Sequence, residues 1–260
     1  LDIILDWRLF LIVVASTLTI ASGYIINNFY DAKKDLINRP KKAMIDRLVS
    51  QETKLKVYFG INFIVALLMF FISWRAVLFF STYIFLIWFY SHKLKKIFLL
   101  GNLTAAILAV LPFFGVLMYY KNFYQVIFAH ATFLFLLILI RELIKDLENV
   151  EGDLIADYKT IPVVFGLQTA KIVVTLLVVG TLIPVYYLTN VFFVGYMDTY
   201  FYISLLLLLF FVLQLWKIQS KSGFLKLHFL LKFIIVAGVF SIVLIEPEVL
   251  IHGKKILSSY

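Results

Sequence analysis

Eight stretches of this chain are apolar for long enough to cross a bilayer, and that constrains its fold more than any other feature. A spanning helix needs about 20 mostly apolar residues. Runs of that kind cover roughly 9–27, 55–73, 76–91, 100–120, 124–144, 169–189, 199–217 and 227–246 of the 260 residues. The expected fold is all-α, a polytopic membrane helix bundle. Composition agrees, with 63% of residues apolar and 15% charged. A soluble domain is nearer half apolar, because its surface must be wet.

The second and third runs are separated only by SWR near Trp74, which predicts a tight helical hairpin. Pro112 and Pro184 fall inside runs. Neighbouring helices can satisfy the carbonyls a proline frees, so kinks are expected rather than breaks. Asn62, His130 and Gln214 are isolated polar residues within runs, read as interhelical hydrogen-bonding groups. Gly101-Asn102 is read as a helix cap. There is no cysteine, which excludes disulfides and thiolate metal sites, and four scattered histidines (His92, His130, His228, His252) give no zinc spacing.

Positive charge alternates along the chain. The loops after the first, third, fifth and seventh runs, with their flanks, carry 19 Lys and Arg, against 5 on the opposite side (Arg8, Arg75, Lys121, Lys254, Lys255). The positive-inside rule puts the rich side in the cytoplasm. The net charge of +9 then reflects cytoplasmic loops facing anionic headgroups, with no nucleic-acid partner expected. Residue 1 would lie outside. The opening LDIILDWRLF has neither Met nor a signal-peptide pattern, so the expectation is a translocated N-terminus or an odd number of spans missing upstream.

Two acidic blocks interrupt this pattern. In NNFYDAKKDLINRPKK, residues 27–42, Asn27, Asp31 and Asp35 are spaced four apart. On a helix each step of four overshoots a full turn by only about 40°, so all three share a face, with neighbours about 6 Å apart along the axis. Carboxylates so placed repel unless something positive lies between them. RELIKDLENVEGDLIADYKT, residues 141–160, repeats the spacing in Asn149, Asp153 and Asp157, with Asp146, Glu148 and Glu151 adding charge. One such loop is most simply a solvated loop. Two of matching spacing on the same side of the membrane point to chemistry and to two pseudo-equivalent halves around a central cavity. Oxygen-only donors suit a hard ion such as Mg2+, which commonly also takes phosphate oxygens. Nearby Lys and Arg would complement a diphosphate.

These residues resemble the UbiA superfamily of intramembrane prenyltransferases. NNFYDAKKD resembles its N-D-x-x-D-x-x-x-D motif, ENVEGDLIAD its second acidic motif, and YSHKLKK, residues 90–96, its Tyr-and-Lys segment. The flanks DLINRPKK, RELIKDLENVEGD and KTIPVVFG most resemble the archaeal-type branch that prenylates geranylgeranylglyceryl phosphate. The chain departs from the family at Asn28 and Asn149, each standing where an Asp is usual. The family typically has nine spans. The resemblance therefore implies one prenyltransferase domain over residues 1–260 that lacks the family's first helix.

The resemblance further implies Mg2+-dependent transfer of a prenyl group, geranylgeranyl in that branch, from prenyl diphosphate to a lipid-soluble acceptor, on the cytoplasmic side of the membrane. Two Mg2+ ions would bridge the acidic motifs and the diphosphate. Asn27, Asp31, Asp35, Asn149, Asp153 and Asp157 would be ligands, and the four aspartates the catalytic set. Arg39, Lys41, Lys93, Lys95, Lys145 and Lys159 are candidates for the diphosphate, with Asn28, Tyr90, Asp146 and Glu151 as outer participants. A single lysine at such a place more often anchors the chain at the membrane face. Three other readings stay open: an aromatic quinone precursor as acceptor, a transporter, and a non-catalytic family member. Transporter ion sites sit near the bilayer midplane, whereas these acids lie at span ends.

Overall fold

The computed structural model describes residues 6–245 except Asn122 and Phe193. The sequence expectations for His252, Lys254 and Lys255 lie outside the described residues. Among the described residues there is no strand, and eight helical segments are long and apolar enough to span a membrane. The helices are α1 (Trp7–Asn38), α2 (Pro40–Asp46), α3 (Gln51–Phe70), α4 (Trp74–His92), α5 (Leu100–Tyr120), α6 (Gln125–Glu148), α7 (Val150–Ile155), α8 (Ile161–Gly180), α9 (Leu182–Tyr186), α10 (Asp198–Lys217) and α11 (Lys221–Ser241). The short α2 and α7 lie between spans, and α8, α9 and a π-helical turn at Tyr187–Val191 together form one.

Helix starts follow local chemistry. Asp6 accepts from the backbone N–H groups of Arg8 and Leu9 to cap α1. Ser50, Ser73 and Ser220 do the same for α3, α4 and α11. Each satisfies donors that the first helical turn leaves unpaired. The expected hairpin forms between α3 and α4, with the turn at residues 71–73 and Trp74 already helical.

The chain divides into two compact units. The first holds Leu1–Phe123 and Asn149–Val164, the second Tyr124–Glu148 and Phe165–Tyr260. The first block and the Asn149–Asp157 part of the second therefore belong to the first unit, while Asp146 and Glu148 belong to the second. Its core has one cluster around Ile12, Ala15, Val65, Met69 and Phe80, and another around Ile26, Tyr58, Tyr83, Ile87 and Leu108. Between α1 and α3, Ser22 donates to Asn62 Oδ1 at 2.8 Å, the interhelical bond expected of Asn62. In the second unit Phe133 and Phe201 pack edge to face, with centroids 5.3 Å apart. His130 hydrogen-bonds the Val126 carbonyl of its own helix at 2.8 Å and meets α10 through its ring, edge to face with Phe201.

The two prolines behave differently. Pro112 leaves α5 continuous. The carbonyl it deprives of a partner is that of Leu108, four residues back, and Tyr83 of α4 donates its hydroxyl to that oxygen at 3.0 Å. At Pro184 the helix divides: α8 ends at Gly180, the residue whose carbonyl the proline ring crowds, and α9 begins at Leu182. Gly101 does not cap a helix as expected. The N-cap of α5 is Leu99, and Gly101 lies so close to the Lys95 carbonyl that a Cβ would come within 2.9 Å of it. Its lack of a side chain is what lets the turn at Leu94–Lys96 settle against α5.

Candidate active site

The first block sits on α1, which runs on past the apolar stretch to Asn38. Asn27 and Asp31 share the face expected, because one ammonium bridges them: Lys95 Nζ lies 3.1 Å from Asn27 Oδ1 and 2.7 Å from Asp31 Oδ1. Lys95 itself is only 8% exposed, in the 3-10 turn Leu94–Lys96 after α4. Asp35, one turn further, pairs instead with Lys42 of α2 at 2.8 Å.

The second block is not one helical face. Asn149 is the N-cap of α7, Asp153 lies within it, and Asp157 falls beyond its end. The reason is a left-handed turn. Asp157 has φ 56°, its N–H bonds the Leu154 carbonyl at 3.3 Å, and the Tyr158 N–H reaches back to the Asp153 carbonyl at 2.8 Å. That pair of bonds is the Schellman termination, usually built on Gly at this position and sometimes on a residue with a short polar side chain. Asp157 consequently points away from the helical register of Asn149 and Asp153. It is exposed, and its carboxylate makes no hydrogen bond or ion pair among the described residues.

Asn38 locks the two blocks together. Its amide oxygen accepts from the Gly152 N–H at 3.2 Å, and its amide nitrogen donates to the Asn149 carbonyl at 3.4 Å. Any Cβ on Gly152 would overlap the Asn38 side chain. Beside this strut, Lys34 of α1 forms an ion pair with Asp153, which is fully buried. The Lys34 ammonium also stands 4.3 Å above the Tyr158 ring, and the Tyr158 hydroxyl donates to Asp31 Oδ1 at 2.8 Å. Lys96 and Lys95 lie 5.6 and 5.9 Å from the same ring. Burial, and then the Asp31 carboxylate, push the Tyr158 phenol well above its ordinary value, so the proton stays on the hydroxyl as a donor. The centre is thus two carboxylates, Asp31 and Asp153, each with its own ammonium, arranged around one tyrosine.

The structure brings together Asn27, Asp31, Lys95, Asn149 and Asp153, with Asp35 one turn away. Tyr90 is within electrostatic reach of Tyr158, and Asn28 lies on the neighbouring face of α1. Arg39 links α1 to α2. Lys41, Lys93, Glu151 and Lys159 are exposed on the same unit, with the Lys159 N–H bonded to the Lys96 carbonyl at 3.0 Å. Lys145 and Asp146 belong to the second unit, where Lys145 pairs with Glu142 at 3.1 Å. Sequence reasoning missed Lys34, Asn38 and Tyr158. Lys34 sits one residue before Asp35 and reads as one more loop charge. Asn38 falls three residues after the block's last acid, and Tyr158 one residue after the other's.

Fold and site together define a class: multi-pass membrane helix proteins in which two acidic blocks are joined through lysine ion pairs and an asparagine strut. A model of the UbiA prenyltransferase family matches residues 2–244, and the chain belongs to that family. It is 28% identical to the digeranylgeranylglyceryl phosphate synthase of Methanobrevibacter smithii over 261 residues, covering 91% of this chain and 89% of that one. It is 34% identical to the synthase of the same name from Methanosphaera stadtmanae over 183 residues, 68% of this chain and 65% of that protein. Among solved structures, a UbiA homologue from Aeropyrum pernix K1 superposes with a TM-score of 0.72 at 16% identity, over 90% of this chain and 88% of that one. A UbiA homologue from Archaeoglobus fulgidus, bound to GPP and Mg2+, gives 0.65 at 16% identity, over 90% and 87%.

Proposed function

We propose that this protein transfers a geranylgeranyl group from its diphosphate to the glycerol hydroxyl of geranylgeranylglyceryl phosphate, with Mg2+, at the cytoplasmic face of the membrane. The observation that supports this most is the meeting of the two acidic blocks, which are more than 100 residues apart in sequence, around lysines paired with their carboxylates. The relatives named as synthases of digeranylgeranylglyceryl phosphate support the choice of acceptor.

Lys34 and Lys95 each pair with a carboxylate of the site. A diphosphate offers the same ammonium groups more charge and more acceptor oxygens, so both can turn to it through charge-assisted bonds. That exchange frees Asp31 and Asp153. Asn27, Asp31 and Asp35 then offer amide and carboxylate oxygens from one helix face, a donor set that fits Mg2+. Among the described residues no three Asp, Glu or His side chains converge without help, so amide, phosphate and water oxygens complete the shell. The second block fits a metal less directly, with Asp153 paired to Lys34 and Asn149 uncharged. When bound, the ion supplies charge neutralisation to the departing diphosphate.

The reaction breaks the allylic C–O bond to diphosphate and forms an ether C–O bond to the acceptor hydroxyl, whose proton passes to a basic oxygen of the site. Tyr158 keeps Asp31 in place through its hydroxyl and screens the lysines with its ring. The apolar helices accept the prenyl tail, at about 0.8 kcal/mol per buried CH2.

The test is transfer by purified protein in detergent, offering geranylgeranyl diphosphate with either geranylgeranylglyceryl phosphate or a hydroxybenzoate. Product with the glyceryl phosphate, abolished by EDTA, is expected. Product with the aromatic alone would keep the enzyme and replace the acceptor.

A further inference from the structure

Next to the acidic face of α1 lies a polar cavity of about 190 Å3, bounded by α1, α2 and the start of α3. Its charge is unbalanced. Lys54 of α3 lines it, is only 9% exposed, and makes no hydrogen bond or ion pair through its ammonium among the described residues. Lys33 and Arg47 line it too and are likewise unpaired among the described residues. The two carboxylates in its wall, Asp35 and Asp46, do not answer these charges. Asp35 accepts a hydrogen bond from Lys42 at 2.8 Å, and Asp46 Oδ2 lies 3.6 Å from the same ammonium, an ion pair without a hydrogen bond.

Most of the Lys54 residue is buried, and an ammonium without a partner in the first turn of a helix is unfavourably placed, since the positive end of the helix dipole lies there. The same features are favourable once an anion arrives. The side-chain amides of Asn28 and Gln51 also line the cavity and make no hydrogen bonds among the described residues, which adds neutral donors. Three free cations and two free amides around a small volume match the three oxygens and double charge of a phosphomonoester.

Position ties the cavity to the acidic block. Asn28, Ala32 and Leu36 line it from the stripe of α1 next to Asn27, Asp31 and Asp35, and Asp35 belongs to both. A phosphate held here sits beside the acidic block with its glycerol free to turn toward it. We infer that this cavity, through Lys54 and Arg47, binds the phosphate of the acceptor lipid and is what distinguishes a glyceryl phosphate from an uncharged acceptor. The inference rests on the function proposed above.

The experiment is acceptor and donor kinetics for Lys54→Met, Arg47→Ala and Lys54→Arg. It is paired with direct binding of geranylgeranylglyceryl phosphate and of its dephosphorylated form, geranylgeranylglycerol, to the full chain in nanodiscs with and without phosphatidylglycerol. Losing one charge-assisted contact corresponds to about a ten- to hundredfold weakening. Lys54→Met should raise the acceptor KM by that factor and leave the donor KM and the binding of geranylgeranylglycerol within about twofold. Arg47→Ala, at an exposed position, should act in the same direction, and Lys54→Arg should restore most of the loss. An unchanged acceptor KM in both charge-removing variants overturns the inference. So does an equal rise in the donor KM, which would give the cavity to the diphosphate, or equal weakening of geranylgeranylglycerol, which would make Lys54 structural. Lys54-dependent competition by phosphatidylglycerol without an effect on acceptor binding would assign the cavity to membrane headgroups instead. Should the wild-type chain transfer nothing to the glyceryl phosphate, the functional reading fails, and the binding arm separately shows whether the phosphate is recognised.

Discussion

Single residues do the joining here. Gly152 has no room for a Cβ against Asn38, so Gly152→Ala should push the two acidic blocks apart and cost about 1–3 kcal/mol, the usual range for overpacking, read as a lower unfolding midpoint in detergent. Asp157 separates two roles that a simple alanine scan would confuse. Its left-handed turn is one that Gly adopts without strain, so Asp157→Gly should keep the Schellman bonds and the stability. If the carboxylate is a ligand, transfer nevertheless falls by about tenfold or more, as for other lost charged contacts. Full activity in Asp157→Gly would remove it from the site. Tyr158→Phe loses the bond to Asp31 but no titrating group, because the phenol is held protonated well above its ordinary value of 10.0. It should lower the rate while leaving the pH profile between 6 and 9 unchanged in shape.

At the level of elements, the apolar runs announced all eight spans, because a membrane helix carries its signal in composition alone. What they could not announce is where polar helix continues beyond the bilayer. The helical spacing of Asn27, Asp31 and Asp35 was legible since α1 simply runs on, whereas Asn149, Asp153 and Asp157 have the same spacing and a different structure. The stop at Ile155 is set by a backbone turn at an aspartate, where no glycine or proline marks it. Lys34, Asn38 and Tyr158 were illegible for a related reason: their partners are distant in sequence, and neither charge nor periodicity reports a contact between α1 and α7. Pro112 tests how elements compensate. Tyr83→Phe leaves the Leu108 carbonyl without its hydroxyl donor and should cost about 1 kcal/mol in a mixed-micelle unfolding assay, given the modest worth of hydrogen bonds in membranes. Adding Pro112→Ala returns a backbone N–H to that carbonyl and should recover the loss. A further fall in the double variant would contradict this assignment of the bond.

For the whole molecule, orientation and chemistry make one connected claim. The absence of cysteine makes labelling simple: a single Cys replacing exposed Met44 on α2 should react only with a reagent supplied to the cytoplasmic side, and one replacing Lys121 after α5 only from the other. The central claim is that α1 and α7 build one transfer site for an ether lipid. Its most direct measurement is geranylgeranyl transfer to geranylgeranylglyceryl phosphate by the wild-type chain and by Asp31→Ala and Asp153→Ala, each checked for folding by its unfolding midpoint. Product from the wild type, lost by about a hundredfold or more in each folded variant, is the expected result, since each carboxylate pairs with a lysine of the site and would also hold the metal. Transfer that survives in a folded Asp31→Ala or Asp153→Ala protein would contradict the shared site.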